Sequence, residues 1–181
     1  MNNKKPIYLL FAIVVLGISS LLAGDKTEMV PTKTIMQNTS NAAELSTLVS
    51  AIKAAGLEQL LEGPGPYTLF APNNEAFSEL PKGTLENLMK PENKAKLKAV
   101  LEMHLVQGKW TTADLKKKIE EGKGMAELTC MTGEKLHIAD HGGRMLMVKD
   151  NDDDIGMFLV SDQLQSNGVV HVIDNVLSPK E

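Results

Sequence analysis

The spacing of apolar residues changes once along this chain, at Gly124, and that change limits the fold more than any other feature. Before Gly124 the intervals are helical. Leu45, Leu48, Val49 and Ile52 fall on one helix face, and Leu97, Val100, Leu101 and His104 repeat the pattern. After Gly124 the chain reads as five short strands: Glu127 to Met131, Lys135 to Ala139, Arg144 to Val148, Met157 to Ser161 and Val169 to Leu177. Turn chemistry separates them at Thr132-Gly133, His141-Gly142-Gly143, the run from Asp150 to Gly156, and Asn167-Gly168. Tyr67 to Ala71 is an earlier, largely apolar strand. Helices followed by an antiparallel meander predict an α+β domain. No repeat of 20 to 50 residues is visible, so one copy is expected.

Local signals place the helix ends. Asn41 with Glu44 three residues on has the form of a capping box, and Gly56 supplies a stop. A short helix fits Leu57 to Leu61, and Gly63-Pro64-Gly65-Pro66 is a turn. Pro72 and Asn73 open a helix through Phe77 and Leu80. Thr84 caps a turn over Leu85 and Leu88. Pro91 suits the first position of a longer helix, which Gly108 ends, and Thr111 or Thr112 caps the last helix, around Leu115 to Ile119. Residues 25 to 40 are polar, contain Pro31 and show no periodicity. They read as a linker, which leaves 41 to 179 as the folded domain.

Residues 1 to 24 have a different character. Lys4 and Lys5 precede Ile7 to Leu22, which carry no charge, and small and polar residues follow from Ala23. This order predicts an export signal cleaved near Ala23 or Gly24, with a retained N-terminal anchor as the alternative, since Leu21 is large for its place before the cut. No Cys follows the apolar run. Cys130 is the sole cysteine, so no intramolecular disulfide is possible, and its apolar setting predicts an inert buried thiol. Cleavage would remove two lysines and no acids, leaving 17 basic and 23 acidic side chains and a charge of −6. That balance argues against nucleic acid as a partner. Aromatic residues make up 4% of the chain, so the core must be aliphatic and rich in Met.

Two long segments carry a family likeness. Tyr67-Thr68-Leu69-Phe70-Ala71-Pro72-Asn73-Asn74-Glu75-Ala76-Phe77, followed by Leu80-Pro81, resembles the opening signature of fasciclin domains. Asn167-Gly168-Val169-Val170-His171-Val172-Ile173-Asp174-Asn175-Val176-Leu177, with Pro179, resembles the closing one. Met103 to Lys109 is similar to the family's central segment, and Asp162 falls where the family places an Asp. The resemblance spans about Asn41 to Pro179. It implies a wedge of two small β-sheets packed against several short helices, an extracellular or membrane-anchored setting, adhesive contacts and no catalysis. It marks Phe70, Pro72, Asn73, Phe77, His104, Gly108, Asp162, Asn167, Gly168, His171 and Asp174 as structural signature positions. The chain departs from the pattern at Met103, where the family usually has an aromatic. The integrin contact assigned to that neighbourhood in some animal members therefore does not transfer to Met103 and His104. There is no Arg-Gly-Asp.

Several residues admit a chemical reading beside a structural one. His104, on an apolar stripe, is either a ligand or a buried, hydrogen-bonded imidazole, and His171 is either a base or a residue of one sheet face; the structural reading is preferred for both. Asn73 is expected to cap a helix and Asp174 to accept from a turn. Asp150 to Asp154 looks like a calcium loop, but positions six and twelve are Ile155 and Ser161, so a solvated hairpin turn is expected. Met125, Cys130, Met131, Met145, Met147 and Met157, near His137 and His141, are soft donors suited to Cu(I); core filling by Met145 and Met147 is the preferred reading. No G-x-S-x-G, phosphate loop or H-E-x-x-H occurs. The sequence thus points to an exported, non-catalytic adhesion or interaction module without cofactor. Its expected partner is a protein or polysaccharide of the cell surface or matrix. A cell-envelope protein that binds a small ligand or metal is the alternative.

Overall fold

The computed structural model describes residues 29–180; the segment predicted as an export signal lies outside them. Its helices are short and precede most of the strands. They are α1 (Ile35–Thr39), α2 (Ser46–Ala55), α3 (Glu58–Glu62), α4 (Asn74–Ser78), α5 (Thr84–Leu88), α6 (Lys94–Met103) and α7 (Thr112–Glu121). The strands are β1 (Tyr67–Pro72), β2 (Leu105–Gln107), β3 (Met125–Thr129), β4 (Lys135–His141), β5 (Met145–Lys149), β6 (Ile155–Gln165) and β7 (Gly168–Ile173).

The strands form one continuous ladder in the order β2-β1-β7-β6-β5-β4-β3. This corrects the expectation of two small sheets. β6 is long enough to serve both halves: its first residues pair with β5, and Phe158 to Gln165 pair with β7. A bridge between Val106 and Cys130 joins the two ends of the ladder, so the sheet curls into a near-barrel. The α+β class stands.

β1 and β7 run parallel, from Tyr67 opposite Gly168 to Pro72 opposite Ile173. They separate two hydrophobic cores, which is why all six residues of β7 are buried. On one side Leu69, Ala71, Val170 and Val172 meet Leu45, Leu48, Ile52, Leu61, Leu97 and Leu101 from the helices. On the other, Phe70 and Ile173 meet Leu115, Leu136, Ile138, Val148 and Phe158 inside the curl.

Other expectations change with this architecture. The linker reading fails over its described part, because Ile35 and Met36 are buried and Met29 joins the same core. The helix there was hidden by its brevity. Thr34 and Gln37 cap α1 reciprocally. The box at Asn41 and Glu44 does not form, and Ala42 precedes a short 3₁₀ turn without a side-chain cap. Thr84 is the first residue of α5 rather than its cap, which falls to Gly83. Thr111 does cap α7, with Asp114 completing the box. The helix expected to run to Gly108 stops at Met103, where β2 begins two residues later; a three-residue strand is too short to show a period.

Candidate functional site

The three segments that carry the family likeness lie side by side. β1 holds the opening signature and β7 the closing one. β2, from the central segment, pairs with β1 on its other edge, with Thr68 opposite Val106. The signature residues therefore share a neighbourhood, and the contacts of each decide what it does.

Two buried imidazoles sit in it, both fully inaccessible. His104, at the C-terminal end of α6, has Nδ1 2.8 Å from the Val100 carbonyl oxygen, and its Nε2 accepts from Leu177 N at 2.9 Å. His171 has Nε2 2.8 Å from the Trp110 carbonyl oxygen, and its Nδ1 accepts from Asp162 N at 3.2 Å. One acceptor and one donor role per ring describes a neutral imidazole. Burial lowers the His104 pKa to about 4 and lowers that of His171. The His171 ring stacks on Phe70, at 5.8 Å between centroids and 23° between planes, and leans on Phe158 at 5.0 Å.

The polar signature residues hold chain crossings together. Asn167 accepts from Ile35 N at 2.9 Å and donates to the carbonyls of Leu61 at 2.8 Å and Gly63 at 2.7 Å, tying α1 and the end of α3 to the start of β7. Asp162 sits in a bulge of β6 with φ +55°, which aims its carboxylate at α7; it accepts from Thr112 N at 2.7 Å and from the Thr112 hydroxyl. Asn73 caps α4 by accepting from Ala76 N at 2.8 Å, as expected. Asp174 accepts from Met157 N at 2.7 Å, so it braces β6 rather than a turn. Gly168 must be glycine: a Cβ there would stand 2.0 Å from the Tyr67 carbonyl oxygen. Gly108 has φ +102°, a conformation that admits glycine, and its carbonyl accepts from the Thr68 hydroxyl at 2.8 Å. Pro72 ends β1 and is buried, as are Phe70 and Phe77.

Of these residues Asp174 borders a cleft of about 430 Å³, with its carboxylate already bonded to Met157 N. Other open clefts lie beside them. One of about 420 Å³ runs between β2, α7 and β3, lined by Gln107, Trp110, Lys118, Glu127, Cys130 and Met131. There the Trp110 indole donates to the Gln107 carbonyl at 3.1 Å, and Lys118 Nζ lies 5.6 Å from its ring centroid. A second, of about 860 Å³, separates α5 and α6 from the C-terminal residues Ser178 to Lys180. Cys130 is buried, 3.4 Å from Met103 Sδ and 2.9 Å from Thr132 Oγ1. The long-range bonds of Thr68, Trp110 and Thr112 leave no trace in the sequence. Periodicity marks none of these residues, since each acts through a bond to a residue 40 to 50 positions away.

A family model described as the fasciclin domain matches residues 43–179. The chain belongs to the fasciclin family. Protein sll1483 of Synechocystis is 40% identical over 146 residues, covering 81% of this chain and 73% of that protein. Transforming growth factor-beta-induced protein ig-h3 of Sus scrofa is 31% identical, covering 88% of this chain and 21% of that protein. Among solved structures, a FAS1 domain pair from the insect cell adhesion molecule fasciclin I superposes with a TM-score of 0.73 at 20% identity. It shares the fold over 83% of this chain, which spans about half of that pair. In this fasciclin domain, Met103 and His104 are both fully buried, so neither side chain is available to a partner.

Two further sequence readings are corrected. The turn expected at Asp150 to Asp154 joins β5 to β6 and is exposed at Asn151 to Asp153, but Asp150 itself is buried and accepts from Asp152 N, Asp154 N and Ser178 N, at 3.0, 3.0 and 2.9 Å. Met145 and Met147 do not fill the core. Leu146 and Val148 point inward instead, and Met145 is 39% exposed. Both faces of β5 are apolar, so alternation alone could not choose between them.

Proposed function

We propose that this chain is an exported, non-catalytic interaction module that binds a protein or polysaccharide of the cell surface or matrix. One observation carries the reading: the titratable and polar signature residues are all engaged in holding the fold. What the domain offers a partner is surface. The cleft beside Trp110 borders the central segment and combines an aromatic ring, a cationic Lys118 and an exposed Glu127, a mixture suited to polar macromolecular contacts. Family membership supports the same reading, as does the cell adhesion molecule that shares the fold. The Lys4-Lys5 pair and the uncharged run from Ile7 to Leu22 support export.

The purified domain is expected to be retained on envelope material of the producing cell. Lys118→Ala with Glu127→Ala, which leaves the packed Trp110 in place, is expected to lower retention at an unchanged denaturant midpoint. Wild-type protein that passes through unretained would overturn the interaction reading. Native protein beginning at Met1 in the membrane fraction would mean an anchor instead of a cleaved signal.

A further inference from the structure

The outer face of the meander carries a patch of thioethers and imidazoles among its charged and polar residues. Ala126, Leu128, Ile138, Leu146 and Val148 point inward, so the residues alternating with them face solvent. Those include Met125, His137, Ala139, His141, Met145, Met147 and Met157. Register sets their relations. Met125 and Met147 stand opposite Ala139 on its two sides. His137 lies two residues before Ala139 on the same face, hence diagonal to both methionines. Directly opposed side chains start about 5 Å apart and diagonal ones about 7–8 Å, and the two methionines, two strand spacings apart across Ala139, start about 10 Å from each other. A thioether arm with three rotatable bonds spans such gaps, and the small Ala139 leaves room for two of them to bend over it.

A second observation is independent of this pattern. His137 Nδ1 is shielded from solvent and has no hydrogen-bond partner. Buried ring nitrogens are ordinarily satisfied, as those of His104 and His171 are here, so this one lacks something that the site can take.

We infer that Met125, Met147 and His137 form a site for one soft monovalent cation, Cu(I), held by two thioether sulfurs and the Nδ1 lone pair. His141 and Met145, opposite each other in the adjoining row, place further soft donors beside it. The donor set selects the ion. Neutral sulfur and imidazole suit Cu(I), while divalent and hard ions want carboxylates or several imidazoles. Among the described residues, no group of three or more His, Cys, Asp or Glu is placed to hold a metal. Glu127 and Lys149, which flank His137 in register, are each compensated, by Lys135 and Asp153 respectively, which leaves the site near neutral. This inference goes beyond the interaction module and stands or falls separately from it.

The test uses the full chain under reducing, oxygen-free conditions, with Cu(I) presented in a chromophoric chelator. The wild type is expected to withdraw one equivalent. Silver(I), as a redox-inert substitute, is expected to shift the Met125 and Met147 methyl resonances and the His137 ring. Met125→Leu with Met147→Leu keeps the apolar area and is expected to weaken Cu(I) at least tenfold at an unchanged denaturant midpoint. His137→Gln is expected to do the same, and Cys130→Ser to bind as wild type. The inference is overturned if the wild type withdraws no metal, or if the leucine pair binds like the wild type. Loss of binding in Cys130→Ser alone would also overturn it, by moving the metal to the buried thiol.

Discussion

The two cores on either side of β1 and β7 are built from different polar material. The helix-side core is bordered by amides. Asn38 exchanges bonds with the Val30 backbone at 2.8 and 2.9 Å, and Asn167 ties down Ile35, Leu61 and Gly63. The strand-side core is bordered by imidazoles: His171 stacks within it, and His104 accepts from Leu177 at its edge. Amides bond equally well at any ordinary pH, whereas a buried imidazole serves as an acceptor only while neutral. One half of the domain is therefore indifferent to acid and the other is not.

Core truncation should show the largest effect. Phe70→Ala removes a fully buried ring that stacks on His171 and meets Phe158 at a tilt, and is expected to cost about 4 kcal/mol, against about 3 kcal/mol for Leu48→Ala on the helix side. Urea midpoints at equal m-value measure both. A larger loss at Leu48 would show that the helices, not the stacked strands, anchor the fold.

Acid should come next. The unfolded His104 titrates near 6.5 and the folded one near 4, so between those values the unfolded chain holds more protons. Stability is then full above about 6.5 and falls as pH drops toward 4, by about 3 kcal/mol from this residue, with His171 acting in the same direction. His104→Gln keeps a donor and an acceptor but cannot titrate, and its stability should vary less across that window. An unchanged slope in the variant would remove His104 as the cause. Helix-side variants should keep the wild-type slope.

Smaller effects test the amide side. Asn167→Ala leaves three backbone partners, one in α1 and two at the end of α3, unpaired and should cost about 1–3 kcal/mol with no change in the pH slope. Asn73→Ala removes one cap from α4 and should cost about 1 kcal/mol, whereas Asn73→Ser should cost less. Equal losses for Ala and Ser would mean that the cap bond is not what holds this position.

How much of this was legible follows from where each interaction lies along the chain. The Asn73 and Thr111 caps were readable because donor and acceptor are three residues apart. His104 was readable as buried because its stripe includes Leu97 and Leu101, both in the core. The α1 helix was not, because five residues carry too little periodicity against a polar background. Nor was the role of Asp162, which depends on a bulge that only pairing with β7 creates.

The sequence by itself determined the order of the longer helices and strands, the family, and the burial of His104, because each rests on local spacing or on a contiguous motif. Tertiary structure decided the parallel joining of β1 to β7 across about a hundred residues, the continuous curled sheet, and which face of β5 meets water. Leu146 and Val148 are as apolar as Met145 and Met147, so alternation was silent. The choice between them is made by which face the rest of the chain covers, and that depends on backbone pairing between distant strands.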